Sequence, residues 1–305
     1  MLPLTLPVLR LLSDGVFHSG EDLATQLGVS RASIWNALQG VETLGVRLFK
    51  VRGRGYQLAQ PIEWLDPARI ALHLGASASQ LQVQVIDVVD STNALLLQNA
   101  AQRGMHAQCV AAEFQTLGRG RRGRTWHAGL GGALTFSLLW RFNFGAAQLS
   151  GLSLAVGVAL ARALKELGIP NVQLKWPNDL LHGYHKLGGV LIELQGDALG
   201  PSTTVIGVGL NMRLDTQTRN RIDQAVVDLA SLCAEEVSRN QVLALALRHL
   251  LAVLMDFESK GFESLREEWQ SLHAFQDKAV ALRMPDGSQT LGKVRGVTAD
   301  GAHRG

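Results

Sequence analysis

Gly118-Arg-Gly-Arg-Arg-Gly-Arg124 lies between two apolar runs, Gln108-Cys-Val-Ala-Ala112 and Gly132-Ala-Leu-Thr-Phe-Ser-Leu-Leu-Trp140. The flanking runs have the length and composition of strands, so the basic stretch reads as a loop over a sheet and not as a solvated tail. Its three glycines free the backbone, and its four arginines offer guanidinium forks that can enclose anionic oxygens. Taken alone it also suits RNA or any polyanion. Glu113, Gln115 and Trp126 flank it and offer hydrogen bonds and a stacking plane.

Further along, Lys175-Trp-Pro-Asn-Asp179 precedes Lys186-Leu-Gly-Gly189 and a strand over Val190–Leu194. Lysine, asparagine and aspartate within five residues, stiffened by Trp176-Pro177, suit a nucleotide and its Mg²⁺: Asp179 for the hard cation, the lysines for phosphate and carboxylate charge. By itself the stretch is equally a surface turn with an ion pair. Upstream, Asp90-Ser-Thr-Asn93 follows a strand over Val83–Val89 and precedes a helix starting near Ala94, which alone is an ordinary helix N-cap. Downstream, Val205-Ile-Gly-Val-Gly-Leu-Asn-Met212 is a strand whose two glycines let something approach the backbone. Asn211 at its end is a candidate ligand for metal or phosphate.

The first 64 residues form a separate unit. Helices are expected over Leu4–Leu12, Gly20–Leu27 and Arg31 to about Leu44. Ala24, Gly28 and Ile34 stand at the spacing of a helix-turn-helix, with Gly28 at positive φ and Ser30 capping the next helix. The third helix then offers Arg31, Ser33, Trp35 and Asn36 to a major groove, and Ser30 to a phosphate. A hairpin follows, Val46–Val51 and Tyr56–Leu58, carrying Arg47, Lys50, Arg52 and Arg54 with no acidic residue between Glu42 and Glu63. A basic hairpin after a helix-turn-helix is a wing suited to backbone or minor-groove contacts. Together the two motifs read as a DNA-binding head, with Arg52 and Arg54 among its contacts.

Bulk properties set the limits. At 305 residues, two or three domains are expected. Hydrophobic residues make up 47% and charged residues 18%, which excludes a disordered chain. The formal charge of +3 supplies no global basic field, so local clusters must make the case for nucleic acid. Cys109 and Cys233 have no metal-type spacing and fit a reducing cytoplasm. The apolar stretch Leu149–Leu167 is broken by Arg162, Lys165 and Glu166, which makes it a buried helix and not a membrane span. No targeting signal is visible. Three domains result: 1–64, a winged helix-turn-helix; 65–270, carrying the glycine-rich and charged motifs; and 271–305, a β appendage with strands Ala279–Met284 and Gln289–Val294 around Pro285-Asp-Gly287.

In combination and in this order, GRGRRGR with KWPND and KLGG, supported by D-S-T-N and G-x-G-x-N, resembles the biotin–protein ligase family, and the fused head resembles its subclass that doubles as biotin operon repressor. The resemblance covers the chain to about residue 298. It implies an α+β fold: a central domain with a mixed sheet, similar to class II aminoacyl-tRNA synthetases, and a small SH3-like C-terminal barrel. It also implies a two-step reaction in which biotin and MgATP give biotinyl-5′-adenylate and a lysine of biotin carboxyl carrier protein then takes the biotin. By the same resemblance Ser91, Thr92 and Asn93 line the biotin site, and Gln115, Arg119, Gly120 and Arg121 close over biotin and its adenylate. Trp126 lies beside the adenine, and Lys186 holds carboxylate and α-phosphate. Lys175, Asn178, Asp179 and Asn211 serve ATP and Mg²⁺, with Asp179 and Asn211 as metal ligands; a further role expected of Asp179 is to help deprotonate the acceptor lysine. Catalysis thus falls to Lys186, Arg119, Arg121 and Asp179. A homodimer in the adenylate-bound state, operator DNA and a cytoplasmic setting complete the implied picture.

The resemblance departs at the C-terminus, where about two strands of the barrel are expected beyond His303-Arg-Gly305, so the appendage is expected to be incomplete. Rival readings are a lipoate–protein ligase, a ligand-sensing regulator without catalysis, and a ligase whose head has lost DNA binding, with Trp35 packed inward.

Overall fold

The computed structural model describes residues 2–100, 105–196, 200–283 and 288–304. In the head, α1 (Leu2–Leu11), α2 (Gly20–Leu27) and α3 (Arg31–Ala37) precede a hairpin of β1 (Leu48–Val51) and β2 (Gly55–Leu58). The turn between α2 and α3 is built as its residues dictate. Gly28 caps α2 at φ 65°, and the Ser30 hydroxyl accepts from Ser33 N–H at 3.1 Å to start α3. The third helix is shorter than expected. It stops at Ala37, and Val41–Leu44 is a separate 3₁₀ turn, because Gly40 at φ 74° reverses the chain between them. Leu9, Leu12, Leu23, Ile34 and Leu38 form the head's own core, joined by Leu130 from the next domain.

Beyond Asp66, which caps α4 (Pro67–Leu74), the chain builds one seven-stranded mixed sheet. In chain order come β3 (Gln82–Val89), α5 (Thr92–Asn99), β4 (Gln108–Gln115), β5 (Ala133–Phe142) and α6 (Leu152–Glu166). Next are β6 (Val172–Lys175), β7 (Asp179–His182), β8 (His185–Gly196) and β9 (Ser202–Asn211), then α7 (Thr216–Arg221), α8 (Arg239–Lys260) and α9 (Arg266–Leu272). The strand order is β3-β4-β5-β9-β8-β7-β6, with only β3 and β4 parallel.

Side chains alternate across a strand, and here that alternation divides labour. On β5, Phe136, Leu138, Trp140 and Phe142 join α6 and α8 in the main core, while Thr135 and Ser137 face the opposite side. On β9, Ile206, Val208 and Leu210 join the same core, leaving Gly207, Gly209 and Asn211 for the other face. One face is therefore packed against α6 and α8; on the other, α5 covers the end at Leu139 and Val205, and the end at Gly207 and Gly209 is left shallow. No helix among the described residues is long and apolar enough to cross a membrane.

The C-terminal segment contributes two small antiparallel pairs, β10 (Ala279–Arg283) with β11 (Gln289–Lys293) and β12 (Gly296–Val297) with β13 (His303–Arg304). The expected Pro285-Asp-Gly turn lies outside the described residues.

A polar seam fastens the head's exit to the sheet domain. Arg239, almost fully buried, donates to the Glu113 carboxylate at 2.7 Å and to Glu63 C=O at 2.7 Å. Glu113 also accepts from Leu65 N–H at 2.6 Å, while the Glu63 carboxylate accepts from Ser238, Arg239 N–H and Asn240. Glu113 therefore serves this seam, not the Gly/Arg loop as its sequence position suggested. Arg10 reaches Asp87 on β3 at 2.5 Å and stacks over Trp64, adding a second fastening. Replacing Arg239 with Met strands a buried carboxylate, and Arg239→Met is expected to cost about 3–5 kcal/mol in urea denaturation followed by tryptophan fluorescence.

Candidate active site

The shallow face of the sheet carries a cavity of about 700 Å³. Every residue expected in the catalytic domain lines it: Ser91, Thr92, Asn93, Gln115, Arg119, Gly120, Arg121, Trp126, Lys175, Asn178, Asp179, Lys186 and Asn211. The basic loop and the Lys/Asp platform, well separated in sequence, thus share one space. Seven lysines and arginines line it against two aspartates, so it is a site for anions.

The floor is polar. Ser91 caps α5, as its sequence predicted, by accepting from Ala94 N–H, yet the same turn delivers Thr92 and Asn93 to the cavity. Gln115 Oε1 accepts from Thr92 N–H at 2.8 Å. The hydroxyls of Thr92 and Ser137 lie 2.6 Å apart, and Ser137 donates to Asn93 Oδ1 at 2.5 Å. The glycines of β9 are explained by what covers them. A Cβ on Gly207 would lie 2.2 Å from Asn93 Oδ1, and one on Gly209 would lie 2.5 Å from the Trp126 ring. The indole of Trp126 therefore rests on bare backbone, with its buried Nε1 unpaired among the described residues.

Lys175-Trp-Pro-Asn-Asp179 is the turn joining β6 to β7, closed by Asn178 N–H donating to Lys175 C=O at 3.1 Å. Asn178 also exchanges bonds with Val190 on β8, through its side-chain amide (2.8 Å) and its backbone C=O (3.0 Å). Trp176 Nε1 donates to Gly301 C=O at 3.1 Å, so the C-terminal segment braces this turn. Lys186 lies inside β8, which begins earlier than the expected Val190. Gly188 permits this, because a Cβ there would lie 2.6 Å from Leu210 Cδ2. Lys186 Nζ pairs with Asp179 Oδ1 at 2.8 Å, and both side chains are mostly buried. Asn211 donates through Nδ2 to Lys186 C=O (3.1 Å) and Val227 C=O (3.0 Å), which leaves Oδ1 as its one acceptor.

The Gly/Arg loop folds back on itself as a lid. Trp126 N–H donates to Gly118 C=O (2.9 Å) and Gly120 N–H to Arg124 C=O (2.7 Å). Arg119 pairs with Glu193 at 2.8 Å, and Arg121 reaches Asn178 Oδ1 at 3.2 Å. Burial, with the neighbouring charge of Arg122, draws the pKa of Arg121 below its ordinary value, and the Asp179 carboxylate opposes this.

Sequence reasoning passed over Ser137 and the segment Arg221–Val226. Period-two alternation in Thr-Phe-Ser places Ser137 beside Thr135 and was readable. The Arg221–Val226 segment has no local signal. It is tied to β8 by long-range bonds, Lys186 N–H to Ala225 C=O (2.9 Å) and Val227 N–H to Lys186 C=O (3.0 Å).

On the head, Arg31, Trp35 and Asn36 are exposed and Ser33 is half-buried, on the face of α3 opposite Ile34 and Ala37. Trp35 is 55% exposed, so it is not packed inward. Ser30 is exposed while capping the helix. Arg52 stands at the hairpin tip, and Arg54 stacks over Phe17 at 4.2 Å.

The chain matches the model of the Biotin/lipoate A/B protein ligase family over residues 85–211 and a model described as HTH domain over residues 6–57. It is 39% identical to Bifunctional ligase/repressor BirA of Salmonella typhimurium, covering 99% of this chain and 91% of that protein. It is 37% identical to the protein of the same name from Escherichia coli, covering 97% and 90%. Among solved structures it resembles biotin protein ligase from Aquifex aeolicus in complex with biotin and ATP, with TM-score 0.61, 27% identity, and coverage of 73% of this chain and 90% of that one.

A side chain at position 209 tests the geometry of the Trp126 shelf. Gly209→Ala is expected to cost about 1–3 kcal/mol by overpacking and to raise acrylamide quenching of tryptophan fluorescence, an increase that disappears in a Trp126→Phe background.

Proposed function

The chain belongs to the biotin–protein ligase family, in the form that carries a helix-turn-helix head, and on that premise we propose that it joins biotin to ATP, transfers biotin to a carrier-protein lysine, and represses transcription. The observation that carries the reading is the convergence of the lid arginines and the Lys186–Asp179 pair on one cavity.

In the first step a carboxylate oxygen of biotin attacks the α-phosphorus of ATP and pyrophosphate leaves. Two anions must meet, so the barrier falls chiefly through fixed positive charge. Lys186 is placed for this: its backbone is held by Ala225, Val227 and Asn211, and its ammonium by Asp179. Arg119 and Arg121 enclose the acyl phosphate from above. Trp126 offers a face for the adenine, and Lys175 and Asn178 serve the phosphates. Among the described residues no cluster of three or more His, Cys, Asp or Glu could hold a metal unaided. Asp179 and Asn211 still fit Mg²⁺, which commonly takes one or two protein ligands with the rest from phosphate and water. Bound there, the ion would supply neutralisation of phosphate charge. In the second step the acceptor amine attacks the acyl carbon and AMP leaves. The amine must first lose a proton, and Asp179, the carboxylate beside Lys186, takes it.

The floor favours biotin over lipoate. Biotin's ureido ring carries N–H donors and a carbonyl acceptor, which match the hydroxyls and amides of Ser91, Thr92, Asn93 and Gln115. A dithiolane ring offers no N–H or carbonyl to such a floor, and a site built for hydrogen bonds rejects an analogue that lacks them.

The exposed face of α3 enters the major groove of operator DNA through Arg31, Ser33, Trp35 and Asn36, while Ser30, Arg52 and Arg54 meet the backbone. The adenylate-bound protein docks as a homodimer on a two-fold operator, in the cytoplasm, where Cys109 and Cys233 remain free thiols.

Labelled biotin, ATP and a biotin carboxyl carrier domain should yield label on a single lysine; no label and no pyrophosphate would overturn the reading. Lys186→Ala, whose backbone bonds are retained, is expected to keep its circular dichroism spectrum and lose about 10²–10³-fold in pyrophosphate release. In mobility shifts with DNA from upstream of biotin-synthesis genes, Arg52→Ala should weaken binding and lower the salt slope by about one.

A further inference from the structure

Glu193 joins the cavity floor to the lid. One carboxylate oxygen accepts from Asn93 Nδ2 at 2.8 Å, and the other pairs with Arg119 Nη2 at 2.8 Å. We propose that Glu193 is the latch that holds the lid across the cavity, a positioning residue for Arg119. Its effect on biotin rests on the function proposed above, whereas the latch itself does not.

Three observations carry this. The first is that Glu193 is itself held in place. Asn93 cannot swing away, because its Oδ1 accepts from Ser137, its Nδ2 also donates to Leu191 C=O at 3.2 Å, and its side chain fills the space where Gly207 lacks a Cβ. The second is strand geometry: β8 alternates, so Glu193 stands on the same face as Leu191, which lines the cavity. The third is the form of the lid. Bonds across its base, from Trp126 to Gly118 and from Gly120 to Arg124, make it move as one hairpin. Arg119 sits within that base, so pinning its guanidinium pins the hairpin, and Arg121 is delivered to Asn178 at the far side.

The pair is half in solvent at Arg119, so it adds little to global stability. Its consequence is local: with the carboxylate gone, the lid loses its anchor at the floor while the sheet keeps its packing. Glu193→Gln tests this closely, because the amide oxygen still accepts one bond but the charge opposite Arg119 is lost.

Limited trypsin digestion of the unliganded full chain, mapped by mass spectrometry, reads lid opening at Arg119, Arg121, Arg122 and Arg124. Glu193→Gln is expected to raise cleavage there about three- to ten-fold, with other sites and the melting temperature nearly unchanged. Glu193→Asp, which keeps the charge, should fall between the variant and the parent. In pyrophosphate release, Glu193→Gln should raise KM for biotin by a similar factor and lower kcat as well, because Arg119 is no longer held over the acyl phosphate, and Glu193→Asp should restore part of both. Lid cleavage at the parent rate, or raised cleavage at every site alike, overturns the latch. A lower KM overturns the positioning role, because Glu193 would then compete with substrate for Arg119. If no biotin turnover is seen in the parent protein, the proposed function fails, and the digestion result still decides the latch.

Discussion

The two-residue period of β5 and β9 is the constraint from which the site follows. Adjacent in the sheet, these strands place Phe136, Leu138, Ile206, Val208 and Leu210 on one face and Thr135, Ser137, Gly207 and Gly209 on the other. The bulky face packs against α6 and α8, and together they form the centre of the main core. The lean face cannot be filled by its own side chains, so Asn93 and Trp126 settle onto bare backbone and leave a cavity beside them. A one-residue slip of either strand would exchange the two faces and remove both core and site together.

Charge is then brought in from the rim. Lys186 arises from a strand, Asp179 and Asn178 from a hairpin turn, and the arginines from a lid, so three kinds of backbone converge on one anion site. Each is braced by further contacts. Asn211 and Val227 hold the backbone of Lys186, Gly301 holds Trp176, and Glu193 holds Arg119. Preorganisation of this sort lets positive charge act on a developing transition state without first having to move.

Much of this was legible beforehand. The helix-turn-helix was readable because Gly28 and Ser30 act within a few residues, through a left-handed turn and a cap. The basic loop between strands and the Lys/Asp stretch were readable as anion-binding chemistry, and their shared order carried the family resemblance. The length of α3 was misread because apolar spacing continues past Gly40, whereas the backbone reverses there. Glu113 was assigned to the wrong neighbour because proximity in sequence says nothing about Arg239, 126 residues away.

By itself, then, the amino-acid order determined the local elements, the chemical character of each motif and the family, because caps, turns and alternation depend on neighbours a few residues apart. Only the tertiary structure decided that Lys186 meets Asp179, that Trp126 lies on Gly209, that Arg221–Val226 closes a wall, and that Glu193 reaches Arg119. Those contacts join segments whose meeting is set by strand order and register, and neither is written in any local stretch of chain.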